Sequence, residues 1–257
     1  MNNSLKNNLK SNALTIGSWI TLGHTSIAEI LARAGFDWLV VDLEHSTISI
    51  EQAGELVRVI DLCGVVPLIR LTSNHPDQIK RVMDAGAHGI VVPMVNSADD
   101  AARAVAATRY APQGNRGVGL ARAQRYGPGF NDYLQWQGDG PVVIVQIEHR
   151  NALDQLEAIL TVPGVDGFII GPYDLSCSMG MPGEFERPEF KEAMSQILST
   201  GLRMRCPAGL HIVEPDQSRL RQVIAEGYRF IAYSVDMRML DIAARAGLAS
   251  AKENTQQ

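Results

Sequence analysis

The chain has 257 residues, of which 46% are hydrophobic and 20% charged, enough apolar material for one large core, and no linker divides it. A formal net charge of −5, spread without clusters, gives no electrostatic footprint for nucleic acid or for an anionic membrane surface. No stretch is long and apolar enough for a membrane span or a signal-peptide core, and Cys63, Cys177 and Cys206 have neither disulfide-framework nor zinc-finger spacing, so a cytoplasmic protein is expected.

Residues 1–13 are polar and read as a flexible N-terminal segment, followed by one domain at 14–252 and a polar tail at 253–257. Short β-rich runs predict strands at 15–19, 38–42, 65–70, 89–92, 142–147, 166–170, 206–210 and 229–234. Longer periodic segments predict helices at 26–34, 50–63, 76–85, 98–109, 151–160, 188–200, 215–226 and 237–251. Gly35, Gly86 and Gly227 each follow a helical run and precede a strand, the place where a helix exit favours glycine. Strand–helix alternation at this count predicts a parallel sheet closed into a (β/α)8 TIM barrel. The rival, a doubly wound open sheet, lacks a G-x-G-x-x-G after its first strand.

In such a barrel the C-terminal strand ends converge on one mouth, where chemistry is carried. Those ends present Trp19; Asp42, Glu44 and His45; Arg70; Pro93 and Met94; Gln146 and Glu148; Gly171, Tyr173 and Asp174; Leu210 and His211; and Ser234 and Asp236. Strand periodicity puts Val142, Ile144, Gln146 and Glu148 on one face, so a polar pair ends an otherwise apolar stripe. Glu148 and Asp174 lie one strand–helix–strand unit apart and emerge at the same end of neighbouring parallel strands. Either a divalent cation such as Mg²⁺ or Mn²⁺ relieves their repulsion, or each carboxylate caps the following helix. An Arg, a His and several acids around one mouth favour the cation, because each costs desolvation unless partnered.

The connection after the fourth strand is long, from Pro93 to Gln137, and its Arg116-Gly117-Val118-Gly119 reads either as an anion cradle of backbone N–H groups or as a turn. His24, His75, His88, His149 and His211 have no ligand spacing with one another and read as surface, capping or packing residues.

Six motifs together resemble the class II, metal-dependent pyruvate aldolases of the HpcH/HpaI family: Gly35-Phe36-Asp37-Trp38, Asp42-Leu43-Glu44-His45, Arg70, Tyr110-Ala111-Pro112-Gln113-Gly114-Asn115-Arg116-Gly117, Gln146-Ile147-Glu148 and Gly171-Pro172-Tyr173-Asp174-Leu175-Ser176. The resemblance runs over about 17–240. It implies a TIM barrel that assembles as a homohexamer with its C-terminal helix exchanged between subunits. The implied reaction is reversible cleavage of a 4-hydroxy-2-oxo acid into pyruvate and an aldehyde, through an enolate stabilised by Mg²⁺, Mn²⁺ or Co²⁺.

Carried over by motif, Glu148 and Asp174 are the metal ligands, Arg70 holds the keto oxygen and His45 transfers the proton. Gln146, the backbone at Gly171 and Tyr173, and Trp19 meet the substrate, while Asp42 and Glu44 orient water on the metal. Asp84 matches a partner of the catalytic histidine, although it ends a helix at the opposite rim, so it serves by relay or from a neighbouring subunit. Tyr173 departs from the small residue usual there. Oxaloacetate decarboxylation, acyl-CoA thioester cleavage and a non-catalytic keto-acid or sugar-binding barrel are the competing readings.

Overall fold

The structure, a computed structural model, describes residues 3–253. Eight parallel strands close in sequence order: β1 (Thr15–Ile20), β2 (Trp38–Asp42), β3 (Val66–Arg70), β4 (Gly89–Val92), β5 (Val142–Ile147), β6 (Gly167–Ile170), β7 (Ala208–Ile212) and β8 (Phe230–Val235), with β8 paired back to β1. The helices are α1 (Ser4–Lys10), α2 (Thr25–Arg33), α3 (Ile50–Leu62), α4 (Pro76–Asp84), α5 (Ala98–Thr108), α6 (Phe130–Trp136), α7 (Asn151–Leu160), α8 (Pro172–Ser178), α9 (Pro188–Met204), α10 (Gln217–Glu226) and α11 (Asp236–Glu253). The (β/α)8 expectation holds, and no helix is long and apolar enough to cross a membrane among the described residues.

Side-chain alternation divides each strand between two cores. Inside the barrel, Trp38, Val40, Leu68, Val91, Ile144, Ile169, Phe230 and Ala232 form one buried cluster, with Trp38 and Phe230 stacked at 4.0 Å. Gly17 is the residue that admits Trp38, since a Cβ there would lie 2.1 Å from the indole. The opposite parity, including Leu39, Val41, Ile69, Ile90, Val143 and Ile147, packs beneath the helices. Helix starts follow local chemistry: Ser49 and Gln52 form a reciprocal capping box on α3, and the Asp216 side chain caps α10.

The N-terminal segment departs from expectation. Residues 4–10 form α1, whose Leu5 and Leu9, one helical turn apart, are 2% and 1% exposed and join the interior cluster at the foot of the barrel. Lys6 is buried beside them and donates to Pro141 O and Asp166 Oδ2, both at 2.8 Å. Burial pushes the Lys6 ammonium down and the Asp166 carboxyl up, and their mutual attraction opposes both shifts. A polar segment with two leucines at i and i+4 is ordered here because it plugs an opening that only the closed barrel creates. Residues 1 and 2, and residues 254–257 of the expected tail, lie outside the described residues, while Glu253 ends α11.

The connection between β4 and β5 also contains α6, which the sequence reading did not separate from loop. Its Arg116 is 5% exposed and donates to Thr108 O and the Tyr133 hydroxyl, with its guanidinium 4.4 Å from the Tyr110 ring. Arg116 is a clamp that fixes the connection, not part of an anion cradle.

Candidate active site

The inward parity of the strands ends in a polar top layer. Asp42 on β2 and Arg70 on β3 are register partners. Arg70 donates two parallel hydrogen bonds to Asp42, Nε to Oδ1 at 2.8 Å and Nη2 to Oδ2 at 2.5 Å. Asp42 Oδ1 also accepts the backbone N–H groups of Glu44 and His45, at 2.9 and 3.3 Å. Both carboxylate oxygens are thus engaged, and Asp42 positions Arg70. The remaining edge of Arg70 carries Nη1, 3.4 Å from Glu44 Oε2, and the guanidinium lies 4.4 Å over the Trp19 ring.

Glu148 is 3% exposed, just past the end of β5. Its Oε1 accepts Met94 N–H at 2.6 Å, and Oε2 accepts from Gln146 Nε2. Burial raises its carboxyl to about 7, and the nearby charges of Glu44 and Asp174 push the same way. Glu44 is likewise raised, by burial first and then by Asp42 and Asp174, against the pull of Arg70. Three acids that disfavour each other's charge, with Gln146 Oε1 buried and without a partner among the described residues, form a site that a cation would relieve. No group of three or more His, Cys, Asp or Glu side chains is placed to hold a metal ion among the described residues. Two carboxylates with open positions suit a hard ion that keeps water or substrate oxygens.

A cavity of about 250 Å³ opens over this layer, lined by Trp19, His45, Arg70, Gln146, Gly171, Tyr173, Asp174 and His211 among others. Glu148 stands behind that wall, and Gly171 leaves the gap through which it faces the cavity. A Cβ on Gly171 would lie 2.8 Å from Glu148 Oε2 and 3.2 Å from Gln146 Nε2. The Gly171 N–H itself is spent on Ile147 O at 3.1 Å, so the sheet takes the donor that the sequence reading gave to a substrate carboxylate. Asp174 lies in the first turn of α8. His45 is exposed at the mouth, its Nε2 3.9 Å from Glu44 Oε2. Tyr173 stands at the rim, 60% exposed and edge-on to Phe185 with ring centroids 4.9 Å apart.

Asp84 ends α4 at the opposite, N-terminal face of the barrel, 3.9 Å from Arg116 and separated from His45 by the full height of the strands. Within one chain it cannot reach the cavity. One lining residue, His211, stood at the end of the seventh strand in the sequence reading but was taken there as a surface, capping or packing residue. β7 runs two residues beyond its predicted end, which places His211 inside the strand and on the inward face. Its parity relative to Gly209 was the available signal.

A model of the HpcH/HpaI aldolase/citrate lyase family matches residues 15–242. The chain belongs to that family. It is 41% identical over 252 residues to the 4-hydroxy-2-oxo-heptane-1,7-dioate aldolase of Salmonella paratyphi C, covering 96% of this chain and 93% of that one. Among solved HpcH/HpaI structures, a family protein from Burkholderia cenocepacia superimposes with a TM-score of 0.91 at 35% identity, over 98% of this chain and all (100%) of that chain. The HpcH/HpaI aldolase of Desulfitobacterium hafniense gives 0.89 at 29% identity, over 97% and 96% of the two chains.

Proposed function

We propose that this HpcH/HpaI protein is a carbon–carbon lyase that reversibly cleaves a 4-hydroxy-2-oxo acid to pyruvate and an aldehyde with a divalent cation, Mg²⁺ or Mn²⁺, at Glu148 and Asp174. The observation that carries the reading is the acidic group of Glu44, Glu148 and Asp174 beside Arg70 under one mouth whose lining, among the described residues, contains no lysine to serve as the amine of a Schiff base. The name of the Salmonella relative supports the same reaction class.

A bound cation supplies Lewis-acid stabilisation of the charge that develops on the keto oxygen. Arg70, held rigidly by Asp42, offers Nη1 on its remaining guanidinium edge to that oxygen, and the unpartnered Gln146 Oε1 accepts from a water bound with the keto acid. In the cleavage direction His45 removes the proton of the 4-hydroxyl, the C3–C4 bond breaks with its electron pair flowing toward C2–O, and a proton returned to C3 completes the pyruvate methyl. The first-turn N–H groups of Tyr173 and Asp174 lie outside the intrahelical ladder of α8 and receive the substrate carboxylate. Trp19 walls the cavity beneath Arg70. Glu44 tunes the charge between Arg70 and the metal site. Asp84 serves the histidine of a neighbouring subunit in a homo-oligomer, a hexamer with α11 exchanged, consistent with Met237, Leu240 and Leu248 exposed on one stripe of α11.

The test is exchange of solvent deuterium into the methyl group of pyruvate, followed by NMR with EDTA-treated protein and again after Mg²⁺ or Mn²⁺ is restored. Exchange only with metal is expected. Absence of exchange in a protein shown to bind the metal would overturn the reading.

A further inference from the structure

His211 is unassigned by the aldolase chemistry, yet it belongs to the same inward-facing layer as Trp19, Asp42, Arg70 and Gln146 and lines the same cavity. Its Nε2 lies 3.0 Å from Ser234 O, a carbonyl that also accepts the Ser18 hydroxyl at 3.2 Å. A carbonyl can only accept, so Nε2 carries the ring proton and Nδ1 is a bare acceptor, with no hydrogen-bond partner among the described residues. Burial, with Arg70 adding to it, holds the imidazole down to about 4, so the ring is neutral near pH 7. The ring is wedged at 5.5 Å against Trp19, whose Nε1–H is itself buried without a partner among the described residues.

We infer that His211 selects the acceptor half of the reaction, its Nδ1 accepting a hydrogen bond from a hydroxyl group of the aldehyde, so that the substrate class is a short hydroxyaldehyde. This rests on the aldolase reading and goes further by naming the acceptor. Arg70, Gln146, Glu148 and Asp174 are committed to the keto acid and His45 to the proton transfer, which leaves His211 and Tyr173, with the indole N–H of Trp19, as the polar groups on the rest of the wall. A hydroxyl donates to a bare imidazole nitrogen. An alkyl group leaves that nitrogen unsatisfied, and a carboxylate brings a second lone pair against it.

The test compares glycolaldehyde with propionaldehyde, which differ by a hydroxyl in place of a methyl, as acceptors for pyruvate with Mn²⁺ and the full-length protein. The wild type is expected to favour glycolaldehyde in kcat/KM by about tenfold, the worth of one buried hydrogen bond. His211→Leu should bring that ratio toward one, chiefly through KM for glycolaldehyde. His211→Asn, which keeps an acceptor near the Nδ1 position, should retain most of the preference, with circular dichroism and native mass checking that each variant folds. A wild type without the preference, a ratio that His211→Leu leaves in place, or better turnover of 4-oxobutanoate than of glycolaldehyde would each overturn the assignment. Metal-dependent deuterium exchange into pyruvate by the wild type separates that failure from failure of the aldolase reading, whose loss overturns both.

Discussion

In the proposed reaction Arg70 is held because Asp42 takes two of its donors in a fixed fork, leaving one edge toward the cavity. Lysine keeps the charge but neither the fork nor the stack on Trp19, so Arg70→Lys should lower kcat by about 10²-fold or more while the metal still binds, read by steady-state kinetics beside metal titration. Gly171→Ala should also impair metal binding, since its Cβ would occupy the gap between Glu148 and the cavity; isothermal titration of Mn²⁺ checks it. Glu148 makes a pH prediction. Its carboxyl titrates at about 7 in the fold against an ordinary 4.5, so between those values the folded state holds a proton that the unfolded chain has released. Stability contributed by that proton is present below pH 4.5 and lost as pH rises through about 7. The melting temperature of metal-free protein should therefore fall across this window, and Glu148→Gln should flatten the fall.

At the scale of elements, α1 turns a polar N-terminal stretch into the floor of the barrel. Lys6→Ala should destabilise by about 3–5 kcal/mol, measured by denaturant unfolding, because it strands the buried Asp166. Lys6→Ala with Asp166→Asn should recover part of that loss. Eight strands and the longer helix after each, but not the short α6 and α8, were legible from periodicity, because each buries an apolar stripe with its own repeat. α1 was not, since its two leucines read as noise in a polar run until there is an opening for them to fill. Nor was the role of Arg116, which needs Tyr110 and Tyr133 brought together from either side of the connection.

For the whole molecule, the placement of Asp84 is what tests the proposed cooperation between subunits. It lies at the foot of its own barrel, 3.9 Å from Arg116, and burial raises its carboxyl against the pull of that arginine and Lys80. Mixing inactive His45→Ala and Asp84→Asn subunits should restore partial turnover if the histidine and the aspartate come from different chains. Restoration is the expected result, read by activity after subunit exchange. Disrupting the exposed stripe of α11, as in Leu240→Glu, should lower both oligomer mass by native mass spectrometry and turnover.

The order of residues alone determined the barrel and the rim, because strand and helix repeats are local properties and the C-terminal strand ends must converge once eight parallel strands close. It also marked Glu148, Asp174, Arg70 and His45, whose types are costly unless used together. Only the tertiary structure decided which partner each took. Asp42 went to Arg70, the Gly171 N–H went to the sheet, and Asp84 went to the far face. His211 entered the cavity through a two-residue extension of β7. Such pairings depend on register between strands and on what lies across the barrel, and neither is encoded within reach of any one segment.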